Sequence, residues 1–209
     1  MFSLFLKGGP VMWVILLVSI YGLGIFIERM YYFYSIRIDS KLLLVDIKNL
    51  LRRGELELAK DTTRRISGPL PEILKSGLKR INGGKEEIRE AMERAGDIQM
   101  RNVEGNSKHL ALIANISPLL GLLGTVTGMI IAFNSISMKG LGNPNIVANG
   151  ISAALLTTAY GLIVALPAII AYNIVDNKIE SVRYECEEYM NDFLSSIDEM
   201  EKDAIWELD

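Results

Sequence analysis

The chain has 209 residues, 50% of them hydrophobic, and a formal net charge of −3. This length suits one or two ordinary domains. With one histidine (His109), one cysteine (Cys186) and no GK[ST] phosphate-binding sequence, the chain offers no obvious catalytic, metal-binding or cofactor-binding residues. We therefore expect no enzyme, no metal and no cofactor. We expect His109 to be a plain interfacial residue and Cys186 to be buried in a helical seam.

Three stretches carry no charge: residues 11–27, 110–138 and 140–175. Each can supply the roughly 20 apolar residues with which a helix crosses ~30 Å of hydrocarbon. The sequence thus predicts an all-α membrane protein with three transmembrane helices, and a soluble protein with three buried helices is the alternative. Glu28-Arg29 and an aromatic belt at residues 31–34 follow the first stretch, which lacks a small-x-small cleavage site. We interpret that stretch as a retained helix, not a signal peptide.

The charge of the loops predicts how the chain crosses the membrane. Sixteen Lys and Arg residues lie between residues 34 and 108, whereas the two candidate outer segments contain only Lys7 and Lys139. Because basic loops stay in the cytoplasm, we expect the N-terminus outside and the C-terminus inside the cell.

Four segments follow from these spans. Residues 1–34 hold the N-terminus and first span, 35–109 a cytoplasmic helical loop, 110–175 a transmembrane hairpin, and 176–209 a cytoplasmic C-terminal helix. Within the loop, the pattern is helical over 39–66, broken at 67–72 and helical again over 72–81. A further helix from Lys85 is expected to run past Gly105 into the second span. Helices 2 and 3 would then both extend into a cytoplasmic helical domain.

The C-terminal segment has a heptad seam and a strong acidic excess. Apolar residues recur from Ile179 to Met200 at alternating steps of three and four, which is typical of a helical seam. The seam can pack on the chain's own loop or on another copy. Twelve acidic and three basic residues follow Asn173. They predict either a solvated acidic face or pairing with the basic loop.

Small residues line one face of each of the second and third spans, at helical spacing. Such faces allow close helix packing. In a ring of copies they would instead leave central space, into which Thr125 and Thr158 would put hydroxyls near mid-membrane. Pro118 and Pro167 are candidate helix kinks. The residues of the small face are Gly121, Gly124, Gly128, Ala154, Gly161 and Ala165.

The second and third spans contain no Asp, Glu, Lys, Arg or His. Proteins that move protons through a membrane normally use a titratable group there. If this chain works with protons, another subunit must therefore bring the carboxylate. A solute transporter is a weaker alternative, because inverted repeats and broken helices are not visible.

Three sequences resemble the MotA/TolQ/ExbB proton channel family. SPLLGLLGTVTGMIIAF (117–133) resembles its second-span signature, and GISAALLTTAYGLIVALPAIIAYN (150–173) its third-span signature. GGPVMWVILLVSIYGLGIFIER (8–29) is similar to its first span. Three spans resemble ExbB and TolQ more than MotA, which has four.

The resemblance implies a ring-shaped pentamer in the bacterial inner membrane around helices of an ExbD- or TolR-like single-span protein with a membrane Asp. It implies a motor complex driven by proton motive force that works on a periplasmic or outer-membrane process, with a TonB- or TolA-like protein as a possible further partner. Membrane lipid is expected as a partner and nucleic acid is not. A passive scaffold for single-span helices and a sodium-driven motor subunit remain alternatives.

Two threonines are placed by this resemblance. Thr125 matches the threonine of the family's GTV sequence, and Thr158 matches that of its third-span TA-G sequence; both would line the proton pathway. Ala153 stands where ExbB and TolQ proteins often carry a Glu, so the resemblance leaves the choice between ExbB-like and TolQ-like roles open.

Overall fold

The structure is a computed structural model that describes residues 8–36, 40–139 and 144–206. Within these ranges every regular element is a helix, which confirms the all-α class. In chain order the α-helices are α1 Pro10–Ser35, α2 Ser40–Arg52, α3 Leu56–Arg65, α4 Pro69–Lys79, α5 Lys85–Glu104, α6 Ser107–Lys139 and α7 Pro144–Trp206, with a 3₁₀ turn at Ile81–Gly83 between α4 and α5.

Three of the described helices, α1, α6 and α7, are long and apolar enough to cross a membrane. Their outward faces carry large apolar side chains that are more than half exposed in the single chain. A surface of this kind suits lipid or other membrane helices. The prediction of three candidate spans is confirmed. Examples of these exposed side chains are Leu17, Ile20, Leu122, Ile131, Phe133, Leu155, Ile163 and Leu166.

The described chain forms two compact units. The first combines the residues up to Met30 with Asn106–Val175, and so holds most of α1, all of α6 and the first half of α7. The second combines Tyr31–Gly105 with the residues from Asp176 onwards.

In the first unit, α1 lies against both other helices. A Cβ built on Gly22 would lie 3.2 Å from Cδ1 of Ile113 on α6. The rings of Tyr21 and His109 meet edge to face with centroids 6.0 Å apart. Two residues before α1 begins, a Cβ on Gly8 would lie 3.3 Å from Cγ2 of Thr157 on α7. The beginning of α1 is therefore level with the threonines of the third span.

In the second unit, the C-terminal part of α7 packs on the loop helices. Phe193, Leu194 and Ile197 share one hydrophobic core with residues of α2 to α5, and Val182, Cys186 and Tyr189 of the seam pack there too. The seam thus packs on its own loop, the first of the two alternatives. The buried loop residues of this core are Leu43, Leu44, Ile47, Ala59, Leu70, Ile73, Leu74, Leu78, Ile88 and Met92.

Ion pairs join the acidic tail to the basic loop. Of the two alternatives for the acidic residues, a solvated face or pairing with the loop, the structure shows pairing for Asp192, Asp198 and Glu199. Nζ of Lys48 lies 3.3 Å from Asp192, and a guanidinium nitrogen of Arg52 lies 3.8 Å from Glu199. Lys85 pairs with Asp198. A pair of opposite polarity joins Arg183 of the tail to Glu104 at 2.9 Å.

The prediction that the helix from Lys85 continues into the second span is wrong. Helix α5 ends at Glu104, and Gly105 has φ +46° and ψ −126°, a conformation that residues with a side chain rarely adopt. A new helix, α6, begins at Ser107. The third helix does continue as expected, because α7 runs unbroken from Pro144 to Trp206.

Two smaller boundaries in the loop also differ from the prediction. The helical pattern over 39–66 is two helices, because Gly54 turns the chain with φ +73°. The next helix begins at Pro69, not at residue 72. Proline suits the first turn of a helix, where its missing N–H has no partner in any case.

Candidate functional site

The two threonines singled out by sequence come together between α6 and α7. The hydroxyl oxygens of Thr125 and Thr158 lie 2.5 Å apart. Thr125 lies near the middle of the uncharged stretch 110–138 and Thr158 near the middle of 140–175. Both side chains are half-buried, so the pair can still be reached from the surface of the single chain.

A main-chain group completes this polar cluster. The carbonyl oxygen of Gly121 lies 3.2 Å from the hydroxyl of Thr125, one turn later on the same helix, and 3.2 Å from the hydroxyl of Thr158 on α7. Bonds from a threonine to its own helix are common. The bond from Thr158 crosses between helices, and it requires the two backbones to approach closely.

Glycines provide that approach. A Cβ built on Gly121 would lie 3.0 Å from Cα of Thr158, and one on Gly161 would lie 2.6 Å from the carbonyl oxygen of Ser117. A Cβ on Gly128 would lie 3.1 Å from that of Ala154, and one on Gly124 would overlap the side chain of Thr157. The small-residue faces of α6 and α7 therefore pack on each other within one chain. Ala165, also assigned to this face, is buried.

Two buried polar residues of this interface did not figure among the sequence candidates. Ser117 is fully buried and donates to the carbonyl of Ile113 at 2.7 Å; Thr157 is 1% exposed and donates to that of Ala154 at 2.7 Å. The spacing did contain a signal for Thr157, which lies three residues after Ala154 and four before Gly161. Thr157 therefore lies on the same helix face as Ala154 and Gly161.

Pro118 and Pro167 both lie inside their helices, and neither ends one. A kink at either residue stays a prediction.

The site can form hydrogen bonds but holds no group that titrates near neutral pH. No charged or imidazole side chain occurs in 110–138 or 140–175. No cluster of His, Cys, Asp or Glu suited to a metal occurs among the residues that the structure describes. A hydroxyl donates one proton and accepts at two lone pairs, so the threonines can orient or stabilise a group brought to them.

Fold and site together define a helical membrane protein of three candidate spans, with a polar site of hydroxyls and main-chain oxygen between the second and third. Residues 65–188, more than half of the chain, match the MotA/TolQ/ExbB proton channel family. The chain belongs to this family.

Curated relatives agree with this assignment. The chain is 33% identical to ExbB-like protein 1 of Synechocystis sp. over 179 residues, which cover 82% of this chain and 68% of that protein. It is 27% identical to an ExbB homologue of Methanothermobacter thermautotrophicus, over 85% of this chain and 63% of that protein. It is 34% identical to TolQ of Haemophilus influenzae, over 49% of this chain and 45% of TolQ. The chain thus spans about two thirds or less of these relatives.

A solved structure has the same fold. The MotAB structure of C. jejuni superposes with a TM-score of 0.55 at 19% identity, covering 87% of this chain and 72% of the matched chain. At this identity the likeness concerns the fold alone.

Proposed function

We propose that the chain is a subunit of a motor complex driven by proton motive force in the bacterial inner membrane. Five copies form a ring whose second and third spans surround the membrane helix of an ExbD- or TolR-like partner. The partner supplies the membrane Asp. The complex energises a periplasmic or outer-membrane process, with a TonB- or TolA-like protein as the further partner.

One observation carries this proposal. The membrane stretches 110–138 and 140–175, which contain no Asp, Glu, Lys, Arg or His, converge on a half-buried pair of hydroxyls 2.5 Å apart. Placing a polar group inside the membrane costs free energy, so such groups usually lie where another polar group can pair with them. A carboxyl group entering from a partner helix fits this site, because hydroxyls can hydrogen-bond either of its protonation states.

Proton flow releases enough energy to rearrange the interface between membrane helices. One elementary charge crossing 100 mV releases about 2.3 kcal/mol. This is comparable to the free energy of rearranging a few hydrogen bonds in a helix interface, each worth about 0.5–1.5 kcal/mol.

The passive scaffold stays the second candidate because the small-residue faces are already occupied by the packing of α6 on α7. A scaffold needs the glycines for packing but has no need of the hydroxyls. Replacing Thr125 and Thr158 by Val together therefore separates the two functions. A scaffold keeps working, whereas a motor subunit stops although the complex still assembles.

Reconstitution into liposomes tests the proposal directly. The purified chain alone should hold a pH gradient as well as empty liposomes do. Adding the organism's single-span ExbD- or TolR-like protein should permit proton flow, and changing that protein's membrane Asp to Asn should stop it. Native mass spectrometry of the same preparation should give five copies of this chain. Specific proton leakage by the chain alone would refute the need for a partner carboxylate, and sodium flux instead of proton flux would identify the sodium-driven alternative.

The proposed topology has the N-terminus in the periplasm and the 35–109 loop and C-terminal helix in the cytoplasm. A cysteine introduced at residue 140 should react with a membrane-impermeant maleimide in intact cells, and one at Lys60 only after lysis. Strong labelling at residue 60 from outside would overturn this orientation.

A further inference from the structure

The polar cluster has three short contacts but too few protons to fill them. Thr125 and Thr158 contact each other at 2.5 Å, and each contacts the carbonyl oxygen of Gly121 at 3.2 Å. Each hydroxyl has one proton to donate. Two protons therefore serve three contacts.

The carbonyl oxygen is also partly occupied. In an α-helix the N–H of residue i donates to the carbonyl of residue i−4, so the N–H of Thr125 uses one of the two lone pairs of Gly121. One lone pair then remains for two hydroxyls. When either hydroxyl takes it, the other can donate only to that hydroxyl's oxygen.

We propose that the main-chain carbonyl of Gly121 is a positioning group of this site, a shared acceptor for which the hydroxyls of Thr125 and Thr158 compete. The cluster has two closed arrangements. In one, Thr125 donates to Thr158 and Thr158 donates to Gly121; in the other, the two threonines exchange roles.

The closed arrangements determine what the site offers to a neighbour. Both protons are used inside the cluster, so only oxygen lone pairs face outward. Lone pairs suit a protonated carboxylic acid, which donates a hydrogen bond. An ionised carboxylate needs a donor, and the cluster supplies one only when a hydroxyl leaves its internal partner. This consequence rests on the proposed function, whereas the competition itself is a property of the single chain.

The competition predicts non-additive effects of substitution. In Thr125→Val, Thr158 still donates to Gly121, and in Thr158→Val, Thr125 still does. Either single variant should therefore leave the carbonyl bonded, and only the double variant should release it. Two independent hydroxyls, by contrast, would each contribute part of the effect.

The carbonyl carbon of Gly121 reports this bond, because its NMR shift moves upfield when a hydrogen bond to the oxygen is lost. We would measure it by solid-state NMR on the full-length, isotope-labelled chain in lipid bilayers, for the wild type, both single variants and the double variant. The expected result is a near wild-type shift in both single variants and an upfield move in the double variant alone.

Thr127→Val is the matched control. Its hydroxyl lies 3.0 Å from the carbonyl oxygen of Leu123 and 3.1 Å from that of Gly124, and it has no contact with Gly121, so its loss should leave the Gly121 signal in place. A full upfield move in one single variant would show one fixed donor and overturn the competition. An unchanged signal in the double variant would show that neither hydroxyl bonds to Gly121. Neither result depends on a partner or on proton flow, so the proposed function would stand or fall separately.

Discussion

Gly161 on α7 lies so close to Ser117 on α6 that a Cβ at residue 161 would be 2.6 Å from the carbonyl oxygen of Ser117. Real Cβ atoms do not approach oxygen this closely, and a main-chain oxygen cannot rotate away. The two helices can therefore hold their present distance only with glycine at residue 161. The same distance brings Thr158 within reach of Gly121.

Gly161→Ala should separate the two helices and lower the free energy of unfolding by about 1–3 kcal/mol, the usual cost of overpacking. Gly24→Ala on α1 is the matched control, since a Cβ there would have nothing within 4 Å. Thermal unfolding in detergent, followed by tryptophan fluorescence, compares the two variants. Equal stability of the two would contradict the close packing of the hairpin.

The C-terminal helix should be held to its loop by apolar burial more than by charge. Phe193 is fully buried in the shared core, so Phe193→Ala should cost about 3–5 kcal/mol. Removing the partly exposed Lys48–Asp192 pair by Lys48→Gln should cost less than about 1 kcal/mol. Urea unfolding monitored by circular dichroism gives both values.

Tyr184→Ala is the control on the same helix, because Tyr184 is 69% exposed. Its effect should stay within about 0.5 kcal/mol. If Lys48→Gln lowers the free energy of unfolding as much as Phe193→Ala does, ion pairing holds the C-terminal helix to its loop.

Cys186 should make stability depend on pH in the alkaline range. Burial, reinforced by the charges of Glu185 and Glu187, raises the pKa of this thiol from 9.0 to about 12. The folded thiol thus stays protonated at a pH where the unfolded one ionises. Its contribution is complete below pH 9 and is lost as pH rises from there towards 12.

At pH 10 the loss should reach about 1.4 kcal/mol, since one pKa unit corresponds to about 1.36 kcal/mol. The contribution of Cys186 is measured by comparing the unfolding free energies of the wild type and Cys186→Ala between pH 8 and pH 10. The variant should be less stable at pH 8 because of its cavity, and the gap should narrow as pH rises. A constant gap would mean that the thiol ionises alike in both states.

The sequence was most informative where a pattern repeats over many residues. Uncharged stretches located the three candidate spans, and small residues at helical steps located the face on which α6 and α7 pack. It was least informative at single residues that change the chain's direction. Gly105 looks like a weak point in a long helix, and only its φ of +46° shows that α5 ends there.

The partners of the small faces could not be read from sequence either. Helical spacing shows that Gly121 and Gly161 lie on such faces, but packing within one chain and lining of a ring have the same spacing. The structure shows the packing of α6 on α7 within one chain and the bond from Thr158 to Gly121. A helical pattern does not indicate which carbonyl on another helix a hydroxyl will reach.

The last prediction concerns the hydroxyl of Thr158. Thr158→Val removes it while nearly keeping the side chain's shape, so the hairpin and the oligomer should still form. In the wild type one hydroxyl can turn towards an ionised partner carboxylate while the other keeps its bond to Gly121. In the variant the one remaining hydroxyl, on Thr125, must give up Gly121 to do so. A hydrogen bond to a charged group is worth about 1.5–3 kcal/mol, so proton flow should fall about ten- to a hundredfold. Thr158→Ser should retain most of the flow, because it keeps the hydroxyl.

Liposomes containing the chain and its single-span partner would measure this flow, with native mass spectrometry of the same variants as the assembly readout. Thr127→Val is the control for loss of a hydroxyl from the second span outside the cluster, and it should keep wild-type flow. If proton flow in Thr158→Val equals that of the wild type, the hydroxyl of Thr158 serves only as a hydrogen bond between the two helices. Loss of flow together with loss of the oligomer would favour the scaffold, since the threonine would then act through packing alone.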